Sequence, residues 1–249
     1  MKLLVDIGNS ALKWTLRENG TQGPGRSLPY PRDGVRALLD GAWGGLSTRP
    51  DAVYVASVAG AEVEEGVRAF VRERWGLDTG FVQTRSSQCG VQNAYADPAQ
   101  MGVDRWLAII AAWARVHAAC CVVNCGTALT VDGVDADGRH VGGAIIPGIQ
   151  LMQSALAYGT ARIPETQDGR IPDHPGRSTE ECVRLGTVIA AAAFVDRMAH
   201  VLSESLGREM RGIISGGAAG QVRAHLSTKF EYDPELVLNG LALTVDELA

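Results

Sequence analysis

Leu4-Val5-Asp6-Ile7-Gly8-Asn9-Ser10-Ala11-Leu12 and, about half the chain later, Val122-Val123-Asn124-Cys125-Gly126-Thr127-Ala128-Leu129-Thr130 follow one plan. Each is an apolar strand ending in Asp or Asn, then one residue, a glycine, a small polar residue and a second β-like run. A single D-x-G turn is common in hairpins and says little. Two copies in matching positions predict a duplication, with two related domains over residues 1–115 and 116–249.

The flanking pattern agrees. Alternation and apolar runs predict strands at 2–7 and 11–17, a weaker one near 25–29, a helix at 34–43, a strand at 52–57 and an amphipathic helix at 61–75. A helix is expected from about 98 to 118. The second half reads as strands at 119–125, 128–134 and 140–146, a helix opening after Pro147-Gly148, and a long helix over 179–206. A strand at 211–215, a Gly-Gly turn, a helix at 217–226 and a last helix near 234–247 complete it. Strands that cluster and then alternate with helices predict an α/β layered fold in each half. Residues 164–177, rich in Pro, Gly, Asp and Arg, read as a long exposed loop, a candidate lid or partner surface.

Composition narrows the partners. Glycine supplies 30 of 249 residues, above the typical ~7%, and hydrophobic residues make up 46%. No G-X-Y period exists, so the excess points to turns and close backbone approach rather than to a collagen-like or disordered chain. The net charge of −5 and the absence of a basic stripe disfavour nucleic acid and anionic lipid as partners. Five cysteines, Cys89, Cys120, Cys121, Cys125 and Cys182, lack the C-x₂₋₄-C spacing of metal sites and read as small buried hydrophobes in a reducing compartment. Asp6 interrupts the first apolar stretch, so no signal peptide is expected, and runs such as 107–114 are too short to cross a bilayer. A cytoplasmic protein without a membrane partner is expected.

The repeated turns suit a phosphate. Glycine lets the backbone approach an anion, successive N–H groups form a nest, and a carboxylate at the strand end can hold Mg²⁺ or its waters. Lys13 falls in register with Ala11 on the second strand and brings a point charge. The ordinary alternatives are an exposed turn carboxylate for Asp6 and a solvated charge for Lys13; the duplicated frame favours function for both. Neither G-x-x-x-x-G-K-[ST] nor G-x-G-x-x-G after a strand occurs, which removes the P-loop and dinucleotide-binding readings.

A third stretch carries Asn93-Ala94-Tyr95-Ala96-Asp97 and then Met101-Gly102-Val103-Asp104-Arg105-Trp106. Gly102 breaks the start of an apolar helix and sets Asp104 and Arg105 in its first turn. An acid there is commonly a partner of the helix dipole. Beside a fixed guanidinium it is also a candidate base for a hydroxyl proton, with the arginine on an anionic substrate group.

Together these pieces resemble type III pantothenate kinases, within the actin, sugar-kinase and heat-shock-ATPase superfamily. The matching residues, in family order, are Asp6-x-Gly8-Asn9-x₃-Lys13, Asn93-x-Tyr95, Gly102-x-Asp104-Arg105 and Gly126-Thr127. They continue through Gly142-Gly143-Ala144-Ile145-x-Pro147-Gly148, Arg177-Ser178-Thr179-x-Glu181 and Ser215-Gly216-Gly217. The resemblance implies two duplicated ribonuclease-H-like (actin-like ATPase) domains with the nucleotide cleft between them. It also implies ATP-dependent phosphorylation of pantothenate, the first committed step toward coenzyme A, with Mg²⁺, a monovalent cation (K⁺ or NH₄⁺) and a homodimer. Carried over by residue, Asp6, Ile7, Gly8, Asn9, Ser10, Lys13, Gly126 and Thr127 would hold the ATP phosphates. Tyr95, Gly102, Val103, Asp104, Arg105 and Thr179 would hold pantothenate, with Asp104 as the base and Asp6 as the Mg²⁺ ligand. Gly216 and Gly217 match the nucleoside-side turn. The family's monovalent-cation position carries Asp where this chain has Asn124, which keeps an oxygen ligand and loses the charge. Two alternatives remain at this stage: a non-catalytic regulatory protein on the same scaffold, and a related sugar kinase. The chain starts at its first strand, with no room for a helix-turn-helix, and its acidic balance disfavours DNA contact.

Overall fold

A computed structural model describes residues 1–30, 34–46, 48–166 and 169–247. The chain divides into two compact units, one of Met1–Arg115 with Glu235–Ala249 and one of Val116–Pro234.

The first unit contains β1 (Lys2–Ile7), β2 (Ala11–Glu18), β3 (Thr21–Gln22), β4 (Arg26–Pro29), α1 (Gly34–Trp43), β5 (Ala52–Ser57), α2 (Ala61–Trp75) and β6 (Thr79–Phe81). A small hairpin of β7 (Ser87–Gln88) and β8 (Val91–Gln92) and a 3₁₀ turn at Pro98–Gln100 lead into α3 (Val103–Val116). The second unit contains β9 (Cys120–Cys125), β10 (Ala128–Val134), β11 (His140–Pro147), α4 (Ile149–Gly159), α5 (Thr179–Leu206), β12 (Arg211–Ser215), α6 (Ala219–Arg223) and β13 (Phe230–Tyr232). The chain then returns to the first unit in α7 (Leu236–Glu247).

The two sheets repeat one topology. In the first, the order is β3-β2-β1-β5-β6, with β1 antiparallel to β2 and parallel to β5. In the second, it is β11-β10-β9-β12-β13, with β9 antiparallel to β10 and parallel to β12. The duplication read from nine residues therefore extends to strand order and direction. Alternation on β1 supplies the cause: Leu3, Val5 and Ile7 enter a core with Trp43, Phe70 and Trp75 of α1 and α2, and Leu4 and Asp6 face the other side. Trp43, Phe70 and Trp75 meet with ring centroids 5.7–6.0 Å apart.

Three expectations need correction. The helix expected from 98 to 118 is a 3₁₀ turn and a separate helix, because Met101 and Gly102 break the path. Residues 235–249, assigned from the sequence to the second half, group with the first unit: Leu236, Leu238 and Leu241 are fully or almost fully buried there. Gly240 lies so close to α3 that an added Cβ would come 2.6 Å from the Leu107 carbonyl carbon. Finally, α5 exceeds the apolar run at 107–114, and by length and composition it is long and apolar enough to cross a membrane. Val188, Ala191, Ala192 and Val195 of α5 pack into the second unit's core.

The stretch 164–177 is tied to α5 at several points, with 167 and 168 outside the described residues. Arg184 donates to the Arg170 carbonyl at 3.2 Å, the Arg177 N–H donates to Glu181 at 2.7 Å, and Ile171 packs against the core.

Candidate functional site

The first unit gathers its candidate residues at one end of β1. Asp6 stands directly across from Lys13 in the β1–β2 ladder. Ile7 pairs with Leu12, leaving Gly8, Asn9, Ser10 and Ala11 to form the turn, closed by the Gly8 N–H on the Ala11 carbonyl at 3.1 Å. Asn9 and Ser10 are exposed at its tip. Asp6 is only 7% exposed, and burial pushes its carboxyl up to about 7; Lys13 pulls it down and Asp104 pushes it further up. Asp6 and Asp104, nearly a hundred residues apart in sequence, are thus close enough to feel each other's charge.

Asp104 owes its position to the break before α3. Its Oδ1 accepts the Arg105 N–H at 2.8 Å, which fixes the carboxylate at the helix's first turn. A Cβ on residue 102 would stand 2.7 Å from that Oδ1, so glycine there leaves room for the carboxylate. Arg105 is 6% exposed, with Nη1 donating to the Tyr95 hydroxyl at 3.1 Å and its guanidinium 5.8 Å from the Tyr95 ring centre. Tyr95 is placed in turn by Asn93, whose side-chain oxygen accepts the Tyr95 N–H at 2.9 Å. Val103 is the buried first residue of α3. Asp6, Lys13, Tyr95, Gly102, Asp104 and Arg105 therefore belong to one unit and form two linked groups within it.

The second unit builds its turn from the same parts with one residue fewer. Cys125 pairs with Leu129, and the Gly126 N–H donates to the Ala128 carbonyl at 3.1 Å. Thr130 stands opposite Asn124, the place that Lys13 holds opposite Asp6. Thr130, which aligns with Leu12 when the two stretches are laid side by side, thus corresponds to Lys13, because the shorter turn shifts the match by one. Gly148 donates to the Thr127 carbonyl at 2.8 Å, and the Ala218 N–H donates to the Cys125 carbonyl at 3.1 Å. Gly216, at φ +99°, passes so close to Cys125 that a Cβ there would lie 2.5 Å from its carbonyl oxygen. The three glycine-bearing loops singled out in this half thus converge on one turn. Thr179 opens α5 behind a Ser178 cap, whose hydroxyl accepts the Glu181 N–H at 3.2 Å.

Two cation readings can be weighed from these donors. Mg²⁺ usually takes one or two carboxylates and fills its octahedron with phosphate oxygens and water. A buried Asp6 carboxylate beside Asp104 fits that pattern, since a divalent ion relieves both burial and mutual repulsion. No cluster of three His, Cys, Asp or Glu exists among the described residues, so the protein alone does not complete a metal shell. At Asn124 the ladder neighbours are Thr130 and Ser215, all neutral oxygens. The buried carboxylate further along β10, Asp132, is engaged by His140 Nε2 at 3.0 Å. This donor set does not fit a monovalent-cation site built on a carboxylate.

Tyr30 escaped the sequence reading. Its hydroxyl donates to the Gly8 carbonyl at 2.6 Å, and the negative charge of Asp6 adds to burial in pushing its phenol up to about 12. A tyrosine closing a weak four-residue strand carries no periodic or motif signal; only the pairing of β4 with β2 brings it to the turn.

A family profile described as type III pantothenate kinase matches residues 2–201. A type III pantothenate kinase of Nitrosococcus oceani is 36% identical over 247 residues, covering 97% of this chain and 92% of that protein. One of Halorhodospira halophila is 39% identical over 248 residues, covering 97% and 96%. Among solved structures, the activator of the 2-hydroxyisocaproyl-CoA dehydratase from Clostridium difficile with bound ADPNP superposes with a TM-score of 0.55 at 13% identity, covering 99% of this chain and 94% of that one. That likeness places the chain in the actin-like ATPase and sugar-kinase fold.

Proposed function

The chain belongs to the type III pantothenate kinase family, and from that premise we propose how its residues transfer the γ-phosphoryl group of ATP to the terminal hydroxyl of pantothenate. Membership of a kinase family decides against a non-catalytic accessory protein and against a sugar kinase. The observation that carries the residue assignment is that Val58 joins the two aspartate groups: its N–H donates to the carbonyl of Ile7, next to Asp6, at 3.0 Å, and its Cγ1 would lie 3.7 Å from a Cβ on residue 102, two before Asp104.

In this reading the turn Gly8–Ser10 and Lys13 hold ATP phosphate oxygens, and Gly126 and Thr127 supply the second turn. Tyr95, Gly102, Val103, Arg105 and Thr179 hold pantothenate. Arg105, being buried, binds an anionic group away from bulk water, where the attraction is stronger. Asp104 accepts the hydroxyl proton as the pantothenate oxygen bonds to Pγ and the bond from Pγ to the β,γ-bridging oxygen breaks, releasing ADP. Phosphoryl transfer depends chiefly on positioning and charge stabilisation, so the turn and Lys13 carry more of the rate than the base does. Asp6 would hold Mg²⁺, which offsets charge on the β- and γ-oxygens. The neutral set around Asn124 supports a reaction that depends weakly on K⁺ or NH₄⁺. The free cysteines fit cytoplasmic residence, and the second unit's exposed apolar side chains support a homodimer.

An ATP-coupled assay tests the reading directly. ADP release should require pantothenate, fail with a panel of sugars, and persist when K⁺ is replaced by a large organic cation. Turnover with a sugar, or none with pantothenate, would overturn the substrate; collapse of the rate without K⁺ would overturn the role given to Asn124.

A further inference from the structure

Gly8 could turn its carbonyl toward a bound phosphate, where oxygen would meet oxygen; something must hold it away. The Tyr30 hydroxyl donates to that carbonyl at 2.6 Å, and the Tyr30 backbone N–H donates to the Ser10 carbonyl at 3.1 Å. The Ala11 carbonyl is held within the turn by the Gly8 N–H at 3.1 Å. A single residue thus fixes two carbonyls of the four-residue turn, and the turn itself fixes a third. Peptide units are planar and trans, so a carbonyl held in one direction aims the next N–H the opposite way. With the Gly8 oxygen on Tyr30, the Asn9 N–H points away from the tyrosine. The ring is anchored in its turn by packing against the first unit's hydrophobic core.

We propose that Tyr30 is a positioning residue for nucleotide phosphate: its hydroxyl locks the Gly8–Asn9 peptide so that the Asn9 N–H is presented to a phosphate oxygen. Preset N–H donors bind an anion without first reorganising, which is where a nest gains its affinity. The inference rests on reading the β1–β2 turn as the phosphate turn, so its test carries a control for that reading.

Tyr30→Phe keeps the ring and its packing and removes only the hydroxyl. In the full-length protein, MgADP affinity by calorimetry and the KM for ATP should both weaken about 5-fold, the worth of one ordinary hydrogen bond. The KM for pantothenate should stay within about twofold, because the lost bond does not touch the acceptor site, and the unfolding midpoint should fall modestly, as it does on loss of any one intramolecular hydrogen bond. Lys13→Ala, measured alongside, should also weaken MgADP. If Lys13→Ala weakens MgADP while Tyr30→Phe leaves it unchanged, Tyr30 has no positioning role and the phosphate turn stands. If neither variant alters MgADP affinity, the phosphate turn is misassigned and the proposal falls with it. Equal shifts in both KM values would mean that Tyr30 serves the fold only.

Discussion

The Asp104 carboxylate is oriented by the protein before any substrate arrives, because its Oδ1 already accepts the Arg105 N–H at 2.8 Å. Asparagine can keep that acceptor and lose only the basicity. Asp104→Asn should therefore leave MgADP affinity near wild type and lower kcat by about 10²–10⁴-fold, the usual worth of a general base. Unchanged turnover would remove Asp104 from that role. Asp6 gives a second prediction with a definite sign. Its carboxyl is raised from 3.8 to about 7 by burial first, against the pull of Lys13. The folded protein therefore holds that proton more tightly than the unfolded chain. The stabilisation is complete below about pH 4 and is lost as pH rises through 7. In metal- and nucleotide-free protein, urea unfolding should show Asp6→Asn gaining on wild type by ~2–4 kcal/mol between pH 4 and 8. A difference that stays flat with pH would contradict the burial of the charge. Both aspartates were legible in the sequence because each sits at a glycine that interrupts an apolar element. Tyr30 was not, because its role exists only after β4 has paired with β2.

The elements that sequence periodicity located without error, β1, β5, β10, β12, α1, α2 and α5, are long enough for alternation or a helical stripe to repeat. β6 and β13, three residues each, offer no such repeat and form because β5 and β12 present open edges to them. β7 and β8 are shorter still and meet across Cys89, at φ 49°, and Gly90, at φ +80°. The last helix was legible as a helix, but its place was not, since apolar composition does not say which core receives it. Gly240 decides how closely it can dock. Alanine there gains helix propensity worth ~1 kcal/mol, but its methyl would meet backbone atoms of Leu107, which cannot rotate away as a side chain can. Overpacking of this kind costs ~1–3 kcal/mol or more, so the overlap outweighs the propensity. Gly240→Ala should lower the midpoint of urea unfolding, with the slope unchanged. A raised midpoint would show that α7 shifts on α3 at no cost.

Duplication was the property of the whole chain most visible in sequence, since a nine-residue echo anticipated two sheets of the same strand order. The surface that such a chain leaves for a second copy is less visible, because an apolar residue on a helix reads the same whether it faces its own core or a partner. Of nine exposed large apolar side chains among the described residues, seven lie on β11, α4 and α5: Val141, Ile145, Leu151, Leu156, Tyr158, Ile189 and Val201. α4 contacts both of the other elements, and β11 is an edge strand, so these residues occupy neighbouring parts of one unit. Tyr158 is 82% exposed and Ile145 55%, an unfavourable state for side chains of that size. Such a surface suits the self-complementary contact of the proposed homodimer. Sedimentation at micromolar concentration should thus give twice the 26.3 kDa chain mass. Leu151→Glu, a charge placed on a residue already 46% exposed, should shift that mass to one chain while leaving the unfolding of the isolated protomer cooperative. A wild-type protein that sediments as a single chain, or a Leu151→Glu variant that still pairs, would mean that these apolar residues do not form the dimer contact.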